Sequence, residues 1–159
     1  SYFNIDEYKT TGISGNIKIN RKDAEINIGA SHIGRYNKLK ESKDFSEFNF
    51  STDYSISTTL NISNQNKINI FYKHSGKLPS FWLDGDEVVK SYTESYNLLD
   101  CSINRRIGEQ LTLSIGGKNL LNIKNVKKMN PEIGNHSSTE NNLPIAYGRT
   151  FFIKINIKI

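Results

Sequence analysis

Apolar and polar residues alternate with a period of two along most of the chain, the pattern of strands with one apolar and one polar face. The longest run is residues 48–62. Its even positions are Phe48, Phe50, Thr52, Tyr54, Ile56, Thr58, Leu60 and Ile62, and its odd positions are Asn, Ser, Asp, Ser, Ser, Thr and Asn. The last run repeats the pattern, with Phe151, Ile153, Ile155, Ile157 and Ile159 alternating with Phe152, Lys154, Asn156 and Lys158. Together with shorter copies, this predicts seven strands, roughly 12–20, 24–36, 46–63, 67–82, 96–107, 111–122 and 147–159. Residues 2–6 add a fragmentary eighth.

The connections come in two kinds. Residues 21–23, 64–66 and 108–110 are short and polar, whereas 39–45, 84–95 and 123–146 are long, and the two kinds alternate strictly. In an up-and-down antiparallel sheet, alternate connections fall at opposite ends. All short turns therefore share one end and all long loops the other, as in an outer-membrane barrel. Strand length agrees: about 9–11 residues cross a bilayer on a tilted strand, while strands of soluble proteins usually have about 5–6. The apolar face would meet lipid and the polar face a wet lumen, where Asp53, Asp100, Lys154 and Lys158 find water or partners. Tyr36, Phe45, Phe81, Trp82, Tyr92, Tyr96 and Tyr147 fall near the long-loop ends, as expected of an interfacial girdle.

Composition narrows the class further. The chain has 159 residues, room for one domain or part of a larger one. Alanine occurs only at positions 24, 30 and 146, while Ile, Asn, Ser, Lys and Thr abound, which disfavours helix. No unbroken apolar run reaches the length of a membrane-spanning helix. Ser1 stands first, so a start upstream is expected, with any signal peptide absent or removed. A single cysteine, Cys101, excludes an internal disulfide framework and a thiolate metal cluster. The net charge of +5 is scattered over turns and loops without a stripe, which argues against nucleic acid as a partner.

Candidate ligand contacts lie in the long loops. Trp82, Asp84, Asp86 and Glu87 form one group, whose carboxylates could meet a hard cation, although the spacing is not that of an EF-hand. Lys127, Lys128 and His136 form another, suited to an anionic substrate or to lipopolysaccharide phosphates. His32, His74 and His136 are too far apart in the pattern for a zinc site, and no metal or other cofactor is expected. Nothing has the spacing of a catalytic triad, a paired-acid site or a phosphate-binding loop, so an enzyme is not expected either.

The segment Leu99-Asp100-Cys101-Ser102-Ile103, a short turn, and then Leu111-Thr112-Leu113-Ser114-Ile115-Gly116-Gly117-Lys118-Asn119-Leu120-Leu121-Asn122 resembles the closing strands of TonB-dependent outer-membrane receptors, which commonly read LDLS, turn, LTLSLGVKNLFN. Tyr147-Gly148-Arg149-Thr150-Phe151-Phe152-Ile153 is similar to the PGRTYF that opens the family's last strand. Residues 2–5 and 12–15 resemble an element several strands earlier, with Gly15 where the family often has Glu. The resemblance implies that residues 1–159 are the last seven or so strands of a 22-stranded barrel, without the plug domain. It implies import of a scarce nutrient: an iron chelate, haem, cobalamin, a glycan or a peptide. The implied partners are the rest of the barrel and the plug, TonB through an N-terminal part outside this chain, outer-membrane lipid and lipopolysaccharide, and a surface lipoprotein. Gly148, Phe151, Ile153, Ile155, Ile157 and Ile159 would form the strand read by the barrel-assembly machinery, with Ile159 where the family usually has Phe or Trp. The alternative is a stand-alone eight-stranded outer-membrane barrel with a structural or adhesive role.

Overall fold

The computed structural model describes residues 5–39, 48–84, 87–129 and 142–158. The described residues form antiparallel β-strands and turns, with no helix among them. In chain order the strands are β1 (Ile5–Asn20), β2 (Ala24–Leu39), β3 (Asn49–Asn61), β4 (Asn66–Ser75), β5 (Leu78–Asp84), β6 (Glu87–Thr93), β7 (Tyr96–Ile107), β8 (Leu111–Lys118), β9 (Asn125–Met129), β10 (Asn142–Pro144) and β11 (Thr150–Ile157). Seven of them make one sheet in the order β1-β2-β3-β4-β7-β8-β11, and the other four make a small sheet in the order β10-β9-β6-β5. In the main sheet β1 and β11 are the edges and do not pair with each other.

The expected seven strands are present, and their boundaries differ in instructive ways. Residues 5 and 6, expected to belong to a separate fragment, are continuous with β1. No eighth strand joins the main sheet among the described residues. The expected strand 67–82 is interrupted at residues 76 and 77. There Gly76 lies against the backbone of Thr52, so closely that a Cβ would overlap the Thr52 carbonyl, and its N–H donates to Asp53 Oδ1 at 2.9 Å instead of to the ladder. The expected strand 111–122 stops at Lys118 because Asn119 takes a φ of 51°, outside the extended region. Two of the long connections contain strands of their own. Residues 84–95 contain β6, which pairs back on β5, and residues 123–146 contain β9 and β10.

The short turns close by local chemistry. In the β3–β4 turn, Ser63 Oγ accepts from the Asn66 N–H at 3.1 Å and the Asn66 side-chain amide at 2.9 Å. In the β1–β2 turn the Arg21 N–H donates to the Ala24 carbonyl at 2.7 Å. The three short turns, 21–23, 62–65 and 108–110, lie at one end of the main sheet, and the long connections leave from the other.

The register carries one face unbroken across the sheet. One row runs Ala24, Leu60, Ile68, Ile103, Ile115, Ile153 over six strands. Another runs Ile17, Ile28, Ile56, Tyr72, Leu99. These side chains do not pack into a core. Among the described residues the only buried hydrophobic is Val126, in the small sheet, while Ile13 is 76% exposed and Phe151 75%. The sheet is a single layer whose apolar face lies open.

Candidate functional site

The opposite face is polar, and its side chains bond along the rows. Thr59 Oγ1 donates to Asn69 Oδ1 at 3.0 Å, and the Asn69 amide donates to Ser102 Oγ at 3.5 Å, linking β3, β4 and β7. Near the short turns Lys18 pairs with Glu25 at 2.9 Å, and Asn27 donates to the same carboxylate at 3.3 Å. Two hollows sit on this face. One, of about 390 Å³, has Ser31, Asp53, Ser55, Phe71 and Lys73 in its lining. The other, of about 250 Å³, has Asn69, Phe71, Asp100, Ser102, Lys118 and Phe152. Phe71 borders both, and rings set among hydroxyls, amides and carboxylates suit a polar surface that carries apolar patches. Arg35 also belongs to this face, and its buried Nη1 has no hydrogen-bond partner in the structure.

Asp53 and Asp100 act on the backbone. Each stands on the polar face and accepts an N–H freed where a strand leaves the main sheet: Asp53 from Gly76 after β4, and Asp100 from Asn119 after β8 at 2.8 Å. Asn119 then closes a turn of its own, donating to the Ile123 carbonyl at 2.7 Å and accepting from the Ile123 N–H at 3.0 Å. Asn122, with φ 59°, accepts from the Arg149 N–H at 3.1 Å. Gly148 stands just before that arginine with φ 90°, a conformation glycine adopts without strain. Residues 119–122 and 148–149 thus form a bonded bracket between β8 and β11. These are the two segments whose wording carries the family resemblance. The alternation pattern could not reveal Asp53, Asp100 and Asn119 as backbone acceptors or turn formers. The available signal was only an acid at a polar-face position inside each strand, in need of a partner.

On the apolar face, the long-loop end carries a band of rings and polar tips. His32 stacks on Phe50 at 4.8 Å and its Nδ1 lies 2.8 Å from Thr52 Oγ1. Tyr54 stacks on His74 at 4.6 Å. Asn97 Oδ1 accepts from the Tyr72 hydroxyl at 2.9 Å and lies 2.7 Å from His74 Nδ1. Tyr36 packs against Phe48, with Lys9 Nζ 5.8 Å from the Tyr36 ring centre. The membership differs from the expected girdle. Phe81, Trp82 and Tyr92 lie on the β5–β6 hairpin because the main sheet ends at Ser75, and Phe45 lies outside the described residues.

Most of the expected ligand-contact residues gather on the small sheet. Trp82 pairs with Val89, and Asp84 with Glu87 at the end of the hairpin. Lys128 of β9 pairs with Thr93 at the opposite end of β6, and Lys127 pairs with Asn142 of β10. From Thr93 to Glu87 the strand extends about 20 Å, so the acidic and basic groups share a sheet without forming one cluster. Asp86 and His136 lie outside the described residues, as does Ile159. Phe151, Ile153, Ile155 and Ile157 all point to the apolar face of β11 and are exposed. Among the described residues no three of His, Cys, Asp or Glu come together as a metal-binding group.

No protein-family model matches the chain, and neither a curated protein nor a solved structure matches it.

Proposed function

We propose that the chain is wall of a bacterial outer-membrane barrel, the C-terminal part of a TonB-dependent receptor that imports a scarce nutrient. The observation that carries the membrane assignment is the open apolar face, in register across all seven strands of the main sheet. Soluble monomers rarely leave contiguous apolar patches beyond a few hundred Å² in water, whereas hydrocarbon is the natural solvent for such a face. Strand length supports the same reading. The 16 residues of β1 and of β2 exceed the 9–11 or so needed to cross a bilayer. The ring-rich band at the long-loop end suits a membrane–water boundary, and the hydrogen-bonded opposite face suits a wet lumen.

The receptor assignment rests on the resemblance of the β7–β8 pair and of the start of β11 to the family's closing strands. The edge strands β1 and β11 offer backbone groups for further barrel strands, which favours a larger barrel over a stand-alone eight-stranded one. In this role the chain contributes barrel wall and ligand-facing extensions, the β5–β6 hairpin and β9 among them, to a receptor that transports without chemistry. The plug, the TonB contact, lipopolysaccharide and a surface lipoprotein are the proposed partners.

Membrane fractionation with an antibody to the chain tests this. The expected result is an outer-membrane band much larger than the 18.1 kDa of this chain, shifted in migration by boiling and cross-linking to TonB. A species soluble without detergent would overturn the membrane assignment. A lone heat-modifiable 18.1 kDa band would replace the receptor with the small barrel.

A further inference from the structure

The two hollows on the polar face repeat one set of groups. The first holds Phe71, Asp53, Lys73 and the hydroxyls of Ser31 and Ser55. The second holds Phe152, Asp100, Lys118 and the polar tips of Asn69 and Ser102, and it shares Phe71 with the first. Each therefore offers a ring, one carboxylate, one ammonium and two small hydrogen-bonding groups. The register sets them side by side. Ser55 pairs with Lys73 and Phe71 with Asp100, while Asn69, Ser102, Gly116 and Phe152 share one row across β4, β7, β8 and β11. The first hollow is centred near β3 and the second near β7, two strands away in the sheet, or about 10 Å.

Chemistry, charge and size select the occupant. Phe71 is 38% exposed although it stands among polar groups. The ring of Phe152 lies over Gly116, where a Cβ would meet its Cζ at 2.7 Å. Bare phenyl rings on a wet face gain from an apolar surface laid against them. Each hollow balances one acid against one lysine, so neither favours a net charge on a ligand. Asp53 and Asp100 use Oδ1 on backbone N–H groups, and their second oxygens have no bond among the described residues. Lys73 and Lys118 form no ion pair among them either. Acceptors and donors for hydroxyl groups are thus both present. At about 390 and 250 Å³ the hollows sit at the low end of pockets that enclose a whole small molecule, about 300–1,000 Å³. Each takes one small ring of a longer ligand rather than a tetrapyrrole macrocycle.

Resting on the receptor reading above, we infer that the two hollows are neighbouring subsites for a neutral oligosaccharide, with one sugar ring against Phe71 and a later one against Phe152. A sugar ring has an apolar C–H face for the phenyl ring and a rim of hydroxyls that both donate and accept. Asp53 and Asp100 accept from those hydroxyls, and Lys73 and Lys118 donate to them.

The test uses the full receptor, purified in detergent, on an array of short linear chains of glucose, mannose, xylose and galactose, with their acidic counterparts, free monosaccharides, haem and ferric citrate as competitors. The expected result is retention on at least one neutral chain, competed by that chain far better than by its own monosaccharide. Phe71→Ala and Phe152→Ala should each weaken binding about tenfold, as loss of a stacked ring would give, while Phe71→Tyr retains it and heat-modifiable migration persists in all three. No neutral chain retained, equal competition by chain and monosaccharide, full binding by both alanine variants, or preference for an acidic chain, haem or ferric citrate would overturn the site. Cross-links from Lys73 and Lys118 to the plug that persist with a chain bound would give the hollows to the plug and overturn it as well. If an alanine variant does not assemble, the comparison of chain with monosaccharide on the wild type decides alone. A protein that is no heat-modifiable barrel would refute the outer-membrane assignment itself, whereas a sound barrel that retains no neutral chain refutes only the sugar site.

Discussion

Asp53 and Asp100 hold the points where two neighbouring long connections leave the main sheet, each through a carboxylate oxygen on a freed backbone N–H. Removing the acceptor leaves that N–H without its partner, which costs about 1–3 kcal/mol where water does not replace it. Asp100→Ala is therefore expected to lower the unfolding midpoint of the protein in urea. Asn119→Ala is expected to lower it further, because the variant loses two side-chain bonds and must also hold a left-handed φ at a cost of about 1–2 kcal/mol. Asn119→Gly, which removes the bonds but not the conformational freedom, should fall between wild type and Asn119→Ala. Equal midpoints for all three variants and the wild type would mean that the bracket contributes nothing. At this scale the sequence was legible only in part. The alternation assigns both acids to the polar face and says that they need partners. It cannot say that the partners are backbone groups 23 and 19 residues away, because that depends on where β4 and β8 leave the ladder.

The alternation of period two locates the seven strands of the main sheet and assigns their faces, because a face that is apolar over many residues tolerates no slip of register. It fails beyond Ser75. Residues 78–83 continue an apolar-rich run, so nothing in the period marks the departure of β5 from the sheet, and the break is made by Gly76 against Thr52 in a different strand. The expected contacts at Trp82, Asp84 and Glu87 consequently belong to a hairpin that joins β9, and the lysines at 127 and 128 come onto the same small sheet through pairings with no local signature. Two predictions follow from the face assignment. If the proposed membrane role holds, Ile155→Asp puts a charge on the lipid side of β11 at a cost of about 2 kcal/mol near mid-membrane and should sharply reduce the heat-modifiable form in outer membranes. Lys154→Asp, one residue earlier on the polar face, should leave that form near wild-type levels; the reverse order would invert the assignment. Replacing residues 78–93 by a short turn should leave barrel migration intact and abolish nutrient-dependent growth, since β5 and β6 pair within the small sheet and not with the main one. Loss of the barrel in that deletion would mean that the hairpin is part of the wall.

A seven-stranded sheet one layer thick, with its isoleucines open and small polar residues in its few buried positions, has no interior of its own. In the proposed role, what stabilises such a sheet is its surroundings: hydrocarbon against one face, water and partner polar groups against the other, and neighbouring strands at the two edges. The two faces were legible in the sequence, since the hydrophobic pattern states which side each residue takes. The edges were not, because pairing at an edge is made by backbone groups that every residue carries. The most direct measurement of the central claim is the accessibility of nitroxide spin labels in the assembled receptor, in a Cys101→Ser background. Labels at positions 13, 56, 115 and 155 would be compared with labels at 16, 57 and 154. Labels replacing Ile13, Ile56, Ile115 and Ile155 should collide freely with oxygen dissolved in lipid and little with a water-soluble nickel complex. Labels replacing Asn16, Ser57 and Lys154 should respond the other way or be shielded by protein. Water-accessible labels on the isoleucine face, or labels there shielded from both quenchers, would mean that the face is covered by something other than lipid, and the sheet would not be a membrane wall.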